Sequence, residues 1–263
     1  MRSSEVSALE CTLYEEKDAI AWVTLNRPEV LNALNSKLWR EIYENLDRAE
    51  KSRDVRAVVI TGSGRAFCAG DDIKEVFNLK TLEEAKAFFM DFAAPVITKI
   101  VSLPKPVIAA VNGLAYGGGC EIAMLCDLVV ASQNATFAVP EALIGAIPPV
   151  AAVIGSYVVG KLNVSKMMLT GEPITAEEAK RMGLVNEVVP PEELLQTAER
   201  LAKATMRAAP SAVRIIKKLM SQQFDPEKLK RSVEELIAIV QAEEGKEGHR
   251  AFVEKRPPKW AEI

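Results

Sequence analysis

Short apolar runs alternate with segments of helical spacing through the first half of the chain. The apolar runs predict five strands, the first two joined as a hairpin across polar residues 15–18: 11–14, 19–25, 55–61, 106–111 and 127–131. Between them, residues 36–53 carry apolar side chains at helical spacing, and Thr81 to Glu84 form a capping box that opens another helix. Strands separated by helices predict an α/β fold with a largely parallel sheet and crossover connections.

The second half of the chain is dominated by helical patterns. Apolar residues recur at helical spacing over 191–207, 211–221 and 226–244, and a capping box at Thr175–Glu178 opens a short helix that Gly183 is placed to end. We therefore expect a βα core over 1–160, which holds the functional site, and a C-terminal helical region over 161–263 within the same functional unit. The apolar stripes of this region must be buried against the core or against another chain.

Composition and charge exclude several classes of protein. The 263 residues include 33 Lys and Arg against 36 Asp and Glu, and this mildly acidic balance argues against a nucleic-acid partner. No apolar run is long enough to span a membrane, so we expect no membrane partner. The N-terminal residues lack the apolar stretch of a signal peptide, and the four cysteines suit a reducing compartment, so we expect a cytoplasmic protein.

Two kinds of catalytic site are disfavoured by the residue counts. His249 is the only histidine, so a Ser-His-Asp or Cys-His site would have to use it. The cysteines contain no C-x-x-C pair, and we expect them to be buried thiols rather than metal ligands: Cys11, Cys68, Cys120 and Cys126.

Two glycine-rich stretches, 64–73 and 112–121, each follow a predicted strand. Because ligands bind at the carboxyl ends of parallel strands, both loops could line one crevice. Glycine would let the backbone approach a ligand closely, and a following helix would present free N–H groups to a negative oxygen. The same glycines could instead only permit tight turns. Neither a Gly-Lys-Ser/Thr loop nor a G-x-G-x-x-G motif is present, so a nucleotide site is not indicated.

Glu121 and Glu141 are the candidate catalytic acids. Each lies near the start of a predicted helix or turn, where a carboxylate can simply complement the helix dipole. If the chain between them folds back, both would enter one pocket. Two carboxylates in a dry cleft do not both ionise easily, so one would serve as an acid and the other as a base. Addition or removal of water across a double bond requires such a pair.

Ordered motifs along nearly the whole chain resemble the enoyl-CoA hydratase/isomerase (crotonase) superfamily. The matching segments are 25–28, 31–34, 66–73, 112–121, 126–127, 140–141, 170–172, 183–185 and 251–256. The resemblance implies a crotonase-like fold, in which a ββα superhelix core is followed by a C-terminal helical trimerisation region. It also implies an acyl-CoA substrate and a homotrimer or a dimer of trimers.

The resemblance also implies roles for individual residues. The backbone N–H groups of Asp71 and Gly118 would form an oxyanion hole around the thioester carbonyl. Glu121 would activate the water that attacks Cβ, and Glu141 would protonate Cα. No cofactor is implied beyond the coenzyme A of the substrate, and no metal. The residues expected to contact CoA or the acyl group are Arg27, Ala69, Gly70, Asp72, Ile73, Gly117, Pro140 and, reaching a neighbouring subunit, Phe252 and Lys255.

Two positions depart from the family pattern. Pro149 falls where typical hydratases have a glycine whose N–H helps to hold the catalytic water, and proline has no N–H. Asp71 occupies a position that is often small and uncharged. We expect its side chain to point away from the site, because a carboxylate that faced the oxyanion would oppose its charge.

Three functions remain open from the sequence. The first is an enoyl-CoA hydratase that reversibly adds water to a 2-enoyl-CoA and forms a 3-hydroxyacyl-CoA. The second is a double-bond isomerase or another acyl-CoA lyase of the same superfamily. For all members of the superfamily, the helix segment Phe88–Met90 is a candidate wall of the acyl pocket, but plain core is the stronger interpretation of it. The third is a non-catalytic CoA-binding or interaction module.

Overall fold

A computed structural model describes residues 6–261. Its strands are β1 (Val6–Ala8), β2 (Thr12–Lys17), β3 (Ile20–Leu25), β4 (Ala57–Gly62), β5 (Ala66–Cys68), β6 (Val107–Val111), β7 (Leu114–Tyr116), β8 (Leu128–Ser132), β9 (Thr136–Ala138), β10 (Ile174–Thr175) and β11 (Glu187–Val189). Its α-helices are α1 (Ser36–Lys51), α2 (Ile73–Phe77), α3 (Leu82–Lys86), α4 (Ala94–Ser102), α5 (Gly118–Leu125), α6 (Pro149–Val158), α7 (Lys161–Thr170), α8 (Ala176–Met182), α9 (Leu194–Thr205), α10 (Pro210–Met220), α11 (Pro226–Gln241) and α12 (Glu243–Glu254).

The strands form two sheets that the chain visits alternately. A seven-stranded sheet has the order β1-β2-β3-β4-β6-β8-β11, and a four-stranded sheet has the order β10-β9-β7-β5. Each of β4, β6 and β8 is followed by a short strand of the second sheet and then by helical structure. The pairs β3–β4, β4–β6, β6–β8, β5–β7 and β7–β9 are all parallel. This repeated ββα unit confirms the predicted α/β superhelix.

The N-terminal hairpin is longer than its sequence pattern indicates. β2 and β3 pair from Thr12↔Leu25 to Lys17↔Ile20, so only Asp18 and Ala19 form the turn. Both residues have positive φ angles, 52° and 62°, as a two-residue hairpin turn of this hand requires. The prediction of a loop over 15–18 was wrong for 15–17, because these polar residues belong to the partly buried end of β2.

Helix starts were predicted better than helix ends. The side chains of Thr81 and Thr175 accept the N–H groups of Glu84 and Glu178, so both capping boxes are confirmed. The helix that opens at Thr81 passes through a π-helical segment, Ala87–Ala93, before it continues as α4.

The C-terminal region contributes more than helices. β10 pairs with β9 and β11 pairs with β8, so this part of the chain extends both sheets. The helix predicted over 226–244 ends at Gln241, because Ala242 is extended, and α12 begins directly after it. Within residues 6–261, no helix is long and apolar enough to cross a membrane.

Candidate active site

Three loops that follow parallel strands of the second sheet meet around a cavity of about 80 Å³. The loop after β5 contributes Ala69–Asp71, the loop after β7 contributes Gly117 and Gly118, and the turn after β9 contributes Pro140 and Glu141. The structure therefore brings the two glycine-rich stretches and both candidate glutamates to one place. The convergence was predicted from the carboxyl ends of β4 and β6, but the loops follow the short strands β5 and β7 that come next in the chain.

The loops approach one another at contact distances that exclude side chains. Gly117 has a φ of 52°, and a Cβ there would lie 3.1 Å from Glu141 Oε1. A Cβ on Gly119 would lie 2.3 Å from the carbonyl oxygen of Cys68. Gly70 has a φ of 94°, and a Cβ there would lie 3.1 Å from the carbonyl oxygen of Tyr116. These glycines therefore set the separation between the loop that carries Asp71 and the start of α5.

The backbone N–H groups of Asp71 and Gly118 have no acceptor within residues 6–261, whereas those of Asp72 and Gly117 donate to Leu34 O and Ala138 O. Leu34 N–H donates to Gly70 O, and Asp72 N–H donates to Leu34 O, so this strand-like pairing directs the Asp71 N–H the other way. Gly118 is the first residue of α5, where the helix offers no acceptor for its N–H. Both residues line the cavity, so two free donors are available to a ligand oxygen there.

Glu121 is buried in the first turn of α5, and its carboxylate is held at the start of α6. The N–H groups of Val150 and Ala151 both donate to its Oε1 at 2.8 Å. Burial raises the pKa of Glu121 to about 7, and the two N–H groups oppose that rise because they stabilise the anion. Its Oε2 has no hydrogen-bond partner in the described chain and is available to a ligand or a water.

Glu141 opens a 3₁₀ turn, Glu141–Ile144, and its carboxyl is less well satisfied. Its Oε2 is buried and has no hydrogen-bond partner within 6–261. Burial, and next the charge of nearby Glu121, raise the pKa of Glu141 well above its usual value. The two acids therefore differ in how readily they ionise. Glu121 loses its proton more readily, because two N–H groups stabilise its anion, and Glu141 keeps its proton.

The side chain of Asp71 does not point away from the site, and our expectation of its direction was wrong. Its Oδ1 accepts the indole N–H of Trp39 at 3.0 Å, and the residue lines the same cavity as Glu121. Burial raises the pKa of Asp71 to about 7. The apolar surroundings keep this acid partly protonated at neutral pH, and protonation removes the charge that would oppose an oxyanion.

Helix α12 closes one side of the cavity and brings His249 to it. A Cβ on Gly248 would lie 2.2 Å from Ile144 O, so this helix lies directly against the turn that begins at Glu141. His249 Nδ1 lies 2.7 Å from Gly245 O and must donate to it, which leaves Nε2 as an acceptor in the neutral ring. Burial lowers the pKa of His249, so the ring stays neutral.

Other predicted contact residues fall into three groups. Ala69, Gly70, Ile73, Gly117 and Pro140 line the cavity.

Arg27 and Asp72 lie outside the cavity lining and pair with each other. Arg27 Nη1 and Nη2 each donate to Asp72 Oδ2 at 3.1 Å, with the two side chains 16% and 17% exposed. Asp72 also caps α2 through the N–H of Lys74.

Phe252 and Lys255 lie at the exposed end of α12, outside the cavity of their own chain. Their contact with a neighbouring subunit stays a prediction.

Several lining residues were not predicted as part of a site. Leu236 lines this cavity, and Trp39 lines a smaller cavity that shares Asp71, Gly118 and Glu121 with it. Both belong to apolar stripes, of α11 and α1, and such stripes do not distinguish a core side chain from a pocket wall. Phe89, which was weighed as a wall of the acyl pocket, lines the cavity, whereas Phe88 is core. Within 6–261, Cys11, Cys68 and Cys120 are buried free thiols, and no group of three His, Cys, Asp or Glu side chains is placed to hold a metal ion.

Comparisons with known proteins identify the family of the chain. The family model described as enoyl-CoA hydratase/isomerase matches residues 15–262. The chain is 40% identical over 253 residues to a short-chain-enoyl-CoA hydratase of Clostridium acetobutylicum, covering 94% of this chain and 96% of that one. It is 38% identical over 258 residues to a probable enoyl-CoA hydratase of Mycobacterium bovis, covering 95% and 98%.

A solved structure shares the fold over nearly the full length of both chains. The carnitinyl-CoA hydratase of Mycobacterium avium superposes with a TM-score of 0.83 at 35% identity, covering 96% of this chain and 99% of that one. The matched span, the sequence identity and the shared fold lead to one conclusion. The chain belongs to the enoyl-CoA hydratase/isomerase family.

Proposed function

We propose that the protein is an enoyl-CoA hydratase that reversibly adds water to a 2-enoyl-CoA thioester and forms a 3-hydroxyacyl-CoA. The observation that carries this proposal is the pair of buried, unequal glutamates in one cavity with two free backbone donors. Relatives named enoyl-CoA hydratase, at up to 40% identity, support the same activity.

The thioester carbonyl would be bound by the N–H groups of Asp71 and Gly118. Attack on Cβ moves negative charge onto the thioester oxygen, and fixed donors stabilise that charge by about 3–4 kcal/mol each. The absence of another acceptor for either N–H supports this role.

Glu121 would act as the base and Glu141 as the acid. The lone pair of Glu121 Oε2 takes a proton from water, the water oxygen bonds to Cβ, and the carboxyl proton of Glu141 passes to Cα. The assignment rests on the unequal hydrogen bonding, because Glu121 has two N–H groups that stabilise its anion and Glu141 Oε2 has none.

The attacking water would lie between the two glutamates. Pro149 offers no N–H to it, and the next two N–H groups of α6 already donate to Glu121 Oε1. Glu121 Oε2 and the Glu141 carboxyl are then the groups that position the water.

The pantetheine and acyl segments would follow the lining formed by Ala69, Gly70, Ile73, Gly117 and Pro140. Arg27 and Asp72 would act on CoA indirectly, since their ion pair fixes the loop that carries Asp71. We propose no cofactor beyond the coenzyme A of the substrate and no metal.

The test is turnover of crotonyl-CoA, followed by loss of the enone absorbance and by product mass. We expect a gain of one water, and Glu121→Gln or Glu141→Gln should each lower kcat by about 10²–10⁴-fold. The exposed Glu172→Gln is the matched control and should leave kcat unchanged. A product of unchanged mass would identify an isomerase, and full activity in both active-site variants would reject the assigned roles.

We also propose that the chain assembles as a homotrimer or a dimer of trimers through its C-terminal region, 161–263. Four apolar side chains of α10 are more than half exposed in the single chain: Ile215, Ile216, Leu219 and Met220. Such a patch favours burial against another copy. Light scattering should give three or six times the chain mass of 28.7 kDa, and a monomer would contradict the proposal. A cytoplasmic location is proposed as well, with the unpaired cysteines in support.

A further inference from the structure

The carboxyl group of Asp71 has a position that the hydration step does not explain. Hydration uses only the backbone N–H of this residue, yet its side chain is directed to Trp39, and both residues line a second, smaller cavity. Trp39 satisfies Oδ1, and Oδ2 has no hydrogen-bond partner among residues 6–261. Asp71 is only half-buried, so Oδ2 is accessible to a water or to a hydrogen-bonding group of a bound ligand.

The position of Asp71 between two cavities indicates which part of a substrate it meets. Asp71 lines the catalytic cavity and also a smaller one of about 20 Å³ beyond it. The walls of the smaller cavity are otherwise mostly apolar, including Phe89, Ile97 and Leu236. The Asp71 N–H would hold the thioester oxygen, and the acyl chain would continue from there past Cα and Cβ. The next carbon of the chain, Cγ, would then lie beside the carboxyl of Asp71.

We propose that Asp71 is a specificity-determining residue that selects a 2-enoyl-CoA with a hydroxyl group on Cγ. A hydroxyl donates to a carboxylate and accepts from a protonated carboxyl, so it pairs with Asp71 in either state. An acyl group with a carboxylate at this carbon would add another acid to the three already present, Asp71, Glu121 and Glu141, and is disfavoured. A plain methyl group would leave Oδ2 unpaired.

The inference rests on the proposed function for the placement of the thioester, so its test uses ligands that cannot react. Calorimetry compares butyryl-CoA with 4-hydroxybutyryl-CoA, which differ by one hydroxyl. The protein should bind the hydroxylated thioester about tenfold more tightly, and Asp71→Ala should reduce that ratio to near one. Trp39→Phe should reduce it partly, because it removes the donor that orients the carboxyl.

The matched control is Asp91→Asn, which removes an exposed carboxylate outside the cavity lining and should keep the preference. Equal affinities in the wild-type protein, or a preference that persists in Asp71→Ala, would overturn the inference and leave the proposed hydratase activity standing. Failure to bind either thioester would overturn both. Turnover of crotonyl-CoA and 4-hydroxycrotonyl-CoA provides a second measure, in which the ratio of kcat/KM should change in the same direction.

Discussion

Gly119 holds α5 against β5 and so fixes the distance between the two proposed oxyanion donors. A Cβ at this position would lie 2.3 Å from Cys68 O and 2.7 Å from Cys68 Cβ. The nearest atom belongs to the backbone of a buried strand, which has no flexible side chain to move aside. In Gly119→Ala the two segments must therefore separate by about 0.7 Å or more to reach even a 3.0 Å contact.

The separation should affect activity more than stability. Overpacking costs about 1–3 kcal/mol of folding free energy. Misplacement of a reacting group by about 1 Å can cost roughly 10²-fold in rate, and loss of one oxyanion donor costs about 10²–10³-fold. We expect kcat for crotonyl-CoA to fall by about 10²-fold, while KM changes less, because the donors act mainly on the charge that develops during attack.

The matched control is Gly160→Ala, which lies outside the cavity lining, directly before α7. Gly160 has a φ of 80° and no heavy atom within 4 Å of a Cβ. Alanine there should cost about 1–3 kcal/mol through backbone strain and leave kcat unchanged. Thermal unfolding and steady-state kinetics on both variants separate the two effects. A folded Gly119→Ala protein with wild-type kcat would refute the proposed spacing of the donors.

Two further predictions follow from the charges at the site. The kcat/KM for hydration should rise with pH through about 7, because Glu121 acts as an anion and burial raises its pKa to about 7, and should fall again once Glu141 ionises. Ala151→Pro removes one N–H that stabilises this anion, so in this variant the rise in kcat/KM should move up by about one pH unit. In the wild-type protein, a rise near pH 4.5, the usual pKa of a glutamate, would contradict the assignment of Glu121 as the base. Arg27→Met leaves Asp72 without its half-buried partner and should lower the free energy of unfolding by about 1–2 kcal/mol. Urea denaturation measures this change, with the exposed Arg231→Met as the control. Equal effects of the two substitutions would show that the Arg27–Asp72 pair does not stabilise the loop.

The elements predicted best are those whose burial pattern is local. The α1 helix has one apolar face, and β4 and β6 are continuous apolar runs. The short strands β5, β7 and β9 were not predicted, since three residues carry no periodicity and their pairing depends on neighbours distant in sequence. The boundary between α11 and α12 was missed because Ala242, which ends α11, is a good helix former.

The sequence predicted the backbone donors and the two glutamates of the candidate site, but it did not predict all the side chains around them. The motifs identified Asp71, Gly118 and both glutamates, and the structure places all four at one cavity. The predicted direction of the Asp71 side chain was wrong. That direction depends on a hydrogen bond from Trp39, which is distant in sequence and could not be identified as a partner. His249 was noted only as the sole histidine, since nothing in its local pattern indicates that α12 returns to the site.

A crystal structure with bound butyryl-CoA tests the central claim most directly. The account predicts that the thioester oxygen lies about 2.7–3.1 Å from the backbone nitrogens of both Asp71 and Gly118, with the carboxyls of Glu121 and Glu141 beside Cβ and Cα. A thioester oxygen out of hydrogen-bond reach of either nitrogen, or an acyl chain that lies away from the two glutamates, would contradict it.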